Sequence, residues 1–298
     1  GSEMCIRDSI NQAALWLELP GLGVTIQTSD FAKLALIIYV ARVLSLRQND
    51  MNDFKKTFLP LVIPIVVVCV LILPANFSTA FMLAIICWIM LFIGRTSMKQ
   101  LFGFSFIAIV IVGIFVFIAL NTNTLNRVQT WKNRIENFAK SEGGENYQSQ
   151  QSKIAIATGG LIGKGPGNST QRNFLPHPYS DFIYAIIVEE YGIIGGFVVL
   201  FLYLILLYRA GLIVKKAKRT FPAFLAVGLT LSIVMQAMVN MAVAVNLIPV
   251  TGQTLPLVSM GGTSLLFSGV SFGILLSISR SQNKEELFDG EEEPKGDN

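Results

Sequence analysis

Three stretches without a single charged residue constrain this chain more than any other feature. Thr57 to Gly94, Leu101 to Asn126 and Thr220 to Ser279 run for 38, 26 and 60 positions. A hydrocarbon core about 30 Å thick takes about 20 helical residues to cross. The first run is long enough for two spans, the second for one, and the third for two with an uncharged connection. Over all 298 residues the chain is 14% charged and 52% apolar, whereas globular proteins are roughly a quarter charged. The expected fold is all-α, a polytopic membrane helix bundle. A water-soluble enzyme, a disulfide scaffold and a disordered chain are excluded. Barrel strands alternate in polarity, and these runs do not.

Reading helices at membrane length gives seven spans: 30–46, 57–74, 77–94, 101–121, 182–208, 222–245 and 263–280. In the first, Lys33 and Arg42 bracket an apolar run and are expected to snorkel toward opposite interfaces. Basic residues in short loops set the orientation. Arg42, Arg47, Lys55 and Lys56 lie in one loop, Arg95 and Lys99 in a second, and Arg209, Lys215, Lys216, Lys218 and Arg219 in a third. The turn near 74–79 and the connection 246–262 carry none, so the basic loops and the C-terminus are expected in the cytoplasm. The long connection 122–181 is then external. Residues 1–19 read as a non-native or poorly ordered start, 20–283 as the membrane domain and 284–298 as an acidic cytoplasmic tail. An external start suggests that an odd number of upstream spans is absent. Cys5, Cys69 and Cys87 carry little information, and the net charge of +4 says nothing of nucleic acid because the basic residues sit in inter-helix loops.

Three outer-face segments could carry chemistry. In the first, Leu175 to Asp181, an acid arrives at the start of the fifth span. It reads either as a helix cap, through Ser180 or Asp181, or as a carboxylate poised as general base; His177 reads as a surface histidine. The second is the pair Glu189-Glu190, roughly 12 Å deeper at helical rise. Carboxylates at such depth default to function, here structural (paired with a base) or proton-linked. Gly192 and Gly196 beside them have the spacing of close helix packing. The third is the uncharged, Pro- and Gly-rich stretch from Asn246 to Ser264, whose Ser259, Thr263 and Ser264 hydroxyls and free amides around Gly261 and Gly262 could receive an anionic headgroup. A P-loop around Lys164 is rejected: Gly165 follows the lysine and Thr158 takes a required glycine position. No zinc spacing appears.

Four segments carry a resemblance: QTSDFAKLALIIYVAR at 27–42, GGLIGKGPGNS at 159–169, LPHPYSDFIYAIIVEEYGIIGG at 175–196 and PVTGQTLPLVSMGGTS at 249–264. Over about residues 20–280 the chain resembles the SEDS family (shape, elongation, division and sporulation proteins, the FtsW/RodA/SpoVE group), its division branch above all. The resemblance implies ten spans, so the first three are expected to be missing. It implies a peptidoglycan glycosyltransferase of the bacterial cytoplasmic membrane that polymerises lipid II, with Asp181 as its essential acid and Lys33 and Asp30 matching its QPSExAK motif. Lys33, Asp30, Lys164 and the 259–264 segment are the candidate substrate ligands. Mg2+ or Mn2+ is the candidate cofactor, with no nucleotide. The implied partners are membrane lipids, a class B penicillin-binding protein and other divisome proteins. The chain departs from the family pattern at Thr28, Asp30, Asn76, His177 and Tyr179. A lipid II flippase, an elongation-type polymerase and a scaffold for a transpeptidase are the alternatives.

Overall fold

The computed structural model describes residues 7–8, 16–18, 25–50, 53–74, 76–121, 147–176 and 178–291. His177, the stretch 122–146 and the end of the acidic tail lie outside the described residues. Three short antiparallel strands open the chain, β1 (Arg7–Asp8), β2 (Trp16–Glu18) and β3 (Thr25–Gln27), in the order β1-β2-β3. Helices follow: α1 (Thr28–Leu46), α2 (Leu59–Ile72), α3 (Phe77–Ile93), α4 (Met98–Asn121), α5 (Tyr147–Gly159), α6 (Ile183–Lys216), α7 (Thr220–Ala244) and α8 (Gly262–Glu291).

Seven of these helices fall where seven spans were expected. Phe54–Ile72, α6, α7 and Gly262–Gln282 are long and apolar enough to cross a membrane, whereas Phe77–Ile93 and Met98–Ile114 are apolar but shorter. α1 keeps three charges, Asp30, Lys33 and Arg42. Local chemistry sets several ends. The Asp53 carboxylate accepts from the amides of Lys55 and Lys56 ahead of α2, and Asn76 caps α3 by accepting from Thr79 N at 3.2 Å. Asn76 is a departure from the family pattern, and here it is an N-cap.

α7 is the central helix, packed on α1, α3, α6 and α8. More than half of its most apolar window is buried (56%), against 11% in α6 and in α8. Ile37, Leu44, Leu83, Ile86, Met90 and Leu229 are fully buried where α1, α3 and α7 meet. Gly228 makes the approach possible: a Cβ there would lie 2.6 Å from Ile37 Cγ2 and 2.7 Å from Met90 Sδ. Small residues at helix contacts of this kind are what membrane bundles use, because lipid gives no hydrophobic drive between helices. At the far end of α1, the Arg42 guanidinium lies 5.7 Å from the Phe221 ring centroid.

One expectation needs correction, and one segment carries more structure than its sequence shows. Lys33 does not snorkel: its ammonium is buried, 2.7 Å from Asp30 Oδ1, and an ion pair on the same helix face removes the need to reach water. The long connection before α6, expected outside the membrane, carries a helix of its own. α5 packs on α6, and Ser152 Oγ donates to the Ala244 carbonyl at the end of α7, 2.6 Å away.

Candidate functional site

Two polar residues of α7 organise the end of the bundle that carries Asp181. Gln236 and Asn240 are four apart, so they share a helix face about one turn from each other. Asn240 Nδ2 donates to the Asp181 carbonyl at 2.8 Å and to the Gln253 carbonyl at 2.7 Å. Gln236 Nε2 donates to Thr254 O at 3.0 Å, while its Oε1 accepts from Lys33 Nζ at 3.3 Å. One helix turn therefore ties Lys33, the loop 251–261 and the segment before α6 into a single polar layer. Neither amide was singled out in the sequence; two polar side chains four apart within an uncharged span were the available signal.

The loop 251–261 lies on that layer. Gln253 Nε2 donates to Thr79 Oγ1 at 2.8 Å, and Tyr203 Oη donates to the Pro256 carbonyl. Ser259 Oγ donates to the Ser180 carbonyl at 2.6 Å and accepts from Leu255 N at 2.7 Å, and Met260 N donates to the Tyr179 carbonyl at 2.8 Å. The Ser264 hydroxyl meets Thr254 Oγ1 at 2.7 Å, and Thr263 Oγ1 accepts from Gln27 N at 3.4 Å. Of the three hydroxyls named from sequence, Ser259 and Ser264 thus hold the loop, and Thr263 ties the start of α8 to β3. Gly261 N donates to the Ser259 carbonyl at 3.0 Å, and Gly262 opens α8.

Asp181 sits half-buried where this loop meets α6. The helix begins at Ile183, and its cap position, Phe182, has no side-chain cap. The Asp181 carboxylate is instead turned away: Oδ1 accepts from Ser180 Oγ at 2.9 Å. Its Oδ2 lies 3.7 Å from where a Cβ on Gly252 would stand, and no hydrogen bond from a described residue reaches it. The result is a fixed carboxylate with one open oxygen. Beside Lys33, a cavity of about 30 Å³ is lined by Asp30, Gln236, Ser264, Ser268 and Ser271 among others. Asp30 Oδ2 is buried there without a partner. That volume has room for one or two waters, since about 10–15 Å³ suffices for one.

The second acidic position belongs to a separate cluster. Glu189 is fully buried, and its carboxylate pairs with Lys164 Nζ at 2.6 Å. Glu190 is half-buried and takes part through its carbonyl, which accepts from Gly165 N at 2.9 Å. Gly192 does not serve ordinary helix packing: at φ 72, ψ −175 it breaks α6. Lys164 N donates to Glu189 O at 3.0 Å, and Ile193 N and Ile194 N donate to the carbonyls of Gly160 and Leu161 at 2.9 and 3.4 Å. Irregular backbone at membrane depth survives only when protein satisfies it, and here the Gly-rich loop does so.

We expect Asn240→Leu to lower stability by on the order of 2 kcal/mol, because a buried carbonyl, Gln253 O, and a part-buried one, Asp181 O, would lose their donor. The thermal unfolding midpoint in detergent reads this; an unchanged midpoint would show that the α7 amide ties nothing down.

Residues 3–284 match the family described as cell cycle protein, the FtsW/RodA/SpoVE group. The chain is 35% identical over 274 residues to stage V sporulation protein E of Bacillus subtilis, covering 91% of this chain and 72% of that protein. It is 35% identical over 277 residues to a probable peptidoglycan glycosyltransferase FtsW of Trichlorobacter lovleyi, covering 92% and 70%. Its fold is similar to a chain of a solved peptidoglycan synthase complex, with a TM-score of 0.69 at 23% identity, covering 93% of this chain and 76% of the other.

Proposed function

The chain belongs to the FtsW/RodA/SpoVE family of cell-cycle proteins, and from that premise we propose that it is a peptidoglycan glycosyltransferase. In this reading it polymerises lipid II at the outer face of the cytoplasmic membrane during cell division, with Asp181 as general base. The observation that carries it is the Asp181 carboxylate, fixed at the outer end of α6 with one oxygen open.

Lipid II joins a disaccharide-pentapeptide through pyrophosphate to a polyprenyl chain. Making a β-1,4 bond from an α-linked donor inverts the anomeric carbon. The acceptor 4-hydroxyl must therefore lose its proton and attack opposite the leaving group, as water does in inverting glycosidases. Asp181 Oδ2 takes that proton, while Ser180 and the carbonyl contact from Asn240 hold the residue in place. Lys33 is the proposed cation for the departing pyrophosphate. Asp30 offsets the cost of placing that charge at membrane depth. A divalent cation, Mg2+ or Mn2+, fits as a partner of the pyrophosphate itself. Among the described residues no three His, Cys, Asp or Glu side chains gather, and the open oxygen of Asp181 is already assigned to the proton, so such a cation would be held chiefly by the substrate's phosphates. A class B penicillin-binding protein is the proposed partner, in keeping with the fold shared with a chain of a peptidoglycan synthase complex.

Purified protein supplied with labelled lipid II separates the readings. Glycan strands support the polymerase; transbilayer movement without strands would make it a flippase, and neither would leave a scaffold. The orientation is tested separately. With cysteines introduced one at a time, an impermeant reagent added to cells should label Asn173→Cys and spare Lys215→Cys. The reverse pattern would invert the topology derived from the basic loops.

A further inference from the structure

We propose that Glu189 and Lys164 form one positioning unit: the buried carboxylate clamps the loop 164–171 onto α6 and thereby fixes the segment that delivers Asp181. Lys164 serves this clamp and not the substrate's phosphates. The proposal rests on the polymerase reading above.

The clamp uses both carboxylate oxygens. Oε1 accepts from Lys164 Nζ at 2.6 Å, Thr170 Oγ1 at 2.8 Å and Thr170 N at 3.2 Å. Oε2 accepts from Ser169 Oγ at 2.5 Å and Gln171 N at 3.2 Å. Lys164 Nζ also donates to Thr170 Oγ1 at 3.0 Å. The Lys164 ammonium spends two of its three donors inside the clamp, on Glu189 Oε1 and Thr170 Oγ1. Taking a carboxylate out of water costs several kcal/mol and is recovered only when the remaining lone pairs are satisfied, and five donors satisfy these.

From Gln171 the chain leads straight to the proposed base. A short turn at Gln171–Asn173 follows, and Leu175 is buried with Phe182, Ile186 and Val243. Tyr179, Ser180 and Asp181 then receive their contacts from Met260, Ser259 and Asn240. The segment is thus held at both ends, by Glu189 at its start and by the α7–loop layer at its finish. Releasing the first end loosens the base without removing any group that touches substrate.

The test compares Glu189→Gln, Lys164→Met, Lys164→Arg and the Glu189→Gln/Lys164→Met double variant, each assayed for kcat and KM with lipid II. Glu189→Gln and Lys164→Met should lower kcat by roughly 10²-fold, the cost of misplacing a reacting group by about 1 Å, with KM little changed. The double variant should be no worse than the poorer single, and Lys164→Arg should restore most of the rate by keeping the ion pair. If Lys164→Met instead raises KM at constant kcat, the lysine binds substrate and the proposal falls. Wild-type kcat in both singles overturns it too. Amide hydrogen exchange of residues 164–172 reads the clamp without catalysis, through the Thr170 and Gln171 amides. Faster exchange in Glu189→Gln, or in the more exposed Lys164→Met if the former does not fold, supports the clamp, and unchanged exchange removes it. A wild-type protein that makes no strands would defeat the polymerase reading alone, and the exchange result would still decide the clamp.

Discussion

Asp181→Asn gives a protein that binds lipid II and makes no glycan strands. The amide is nearly the same size as the carboxylate, and its oxygen can still accept the hydroxyl of Ser180, which lies 2.9 Å from Oδ1. The anchoring by Asn240 reaches the backbone carbonyl and does not depend on the side chain. What the substitution removes is the capacity to take a proton, and loss of a general base costs on the order of 10²–10⁴-fold. A capping role predicts the opposite, since asparagine caps as well as aspartate; the absence of a side-chain cap at the start of α6 already argues against that role. Strand formation and lipid II binding are measured in the same detergent preparation. An active Asn variant would leave Asp181 a structural residue, and an inactive variant that no longer binds lipid II would make it a binding residue.

The membrane bundle was legible from local signals, and so was the presence of an acid just before α6. An uncharged run of span length has one economical fold in lipid, and an acid at the end of a span stands out against it. Partnerships across the chain were not legible. Lys164 in a Gly-rich loop reads as a ready anion ligand, and nothing local to that loop announces Glu189 of α6 beside it. Lys33 has its partner Asp30 three residues back on the same helix, a spacing that brings side chains together, and that pair removes its need of the interface. Gln236 and Asn240 carry no charge, so little in the span sets them apart from the serines and threonines around them. The hydroxyls of the 259–264 segment lie close to Asp181, through the Ser259 contact to the Ser180 carbonyl. Their use in knitting the loop depends on partners such as Ser180 and Thr254, which no pattern within the segment names.

Gly192→Ala abolishes the fold of the outer loop. A glycine four before another glycine in an apolar helix reads as a packing notch, and Gly196 does crowd the Val188 and Tyr184 side chains. Gly192 instead holds φ 72, ψ −175, a region open essentially to glycine alone, which costs other residues about 1–3 kcal/mol. A Cβ there would lie 2.1 Å from the Leu161 carbonyl oxygen and 2.6 Å from Ile162 N, backbone atoms that cannot rotate aside. The alanine variant has two ways out. It can push the Gly160–Gly165 loop away, which orphans Ile193 N and Ile194 N within a membrane segment. Alternatively α6 can close into a regular helix, in which case Glu189 O is reclaimed by its own helix and Lys164 N loses its partner. Both routes release the loop, and the expected loss lies above about 4 kcal/mol, in the range reserved for broken networks and forced backbone. Trypsin should then cut after Lys164 or Arg172, and the unfolding midpoint should fall steeply. Gly211→Ala is the control: that glycine lies on the same helix with nothing within 4 Å of a added Cβ, and alanine there should be neutral or mildly stabilising. If Gly192→Ala matched Gly211→Ala in protease resistance and midpoint, the break in α6 would not be what holds the loop.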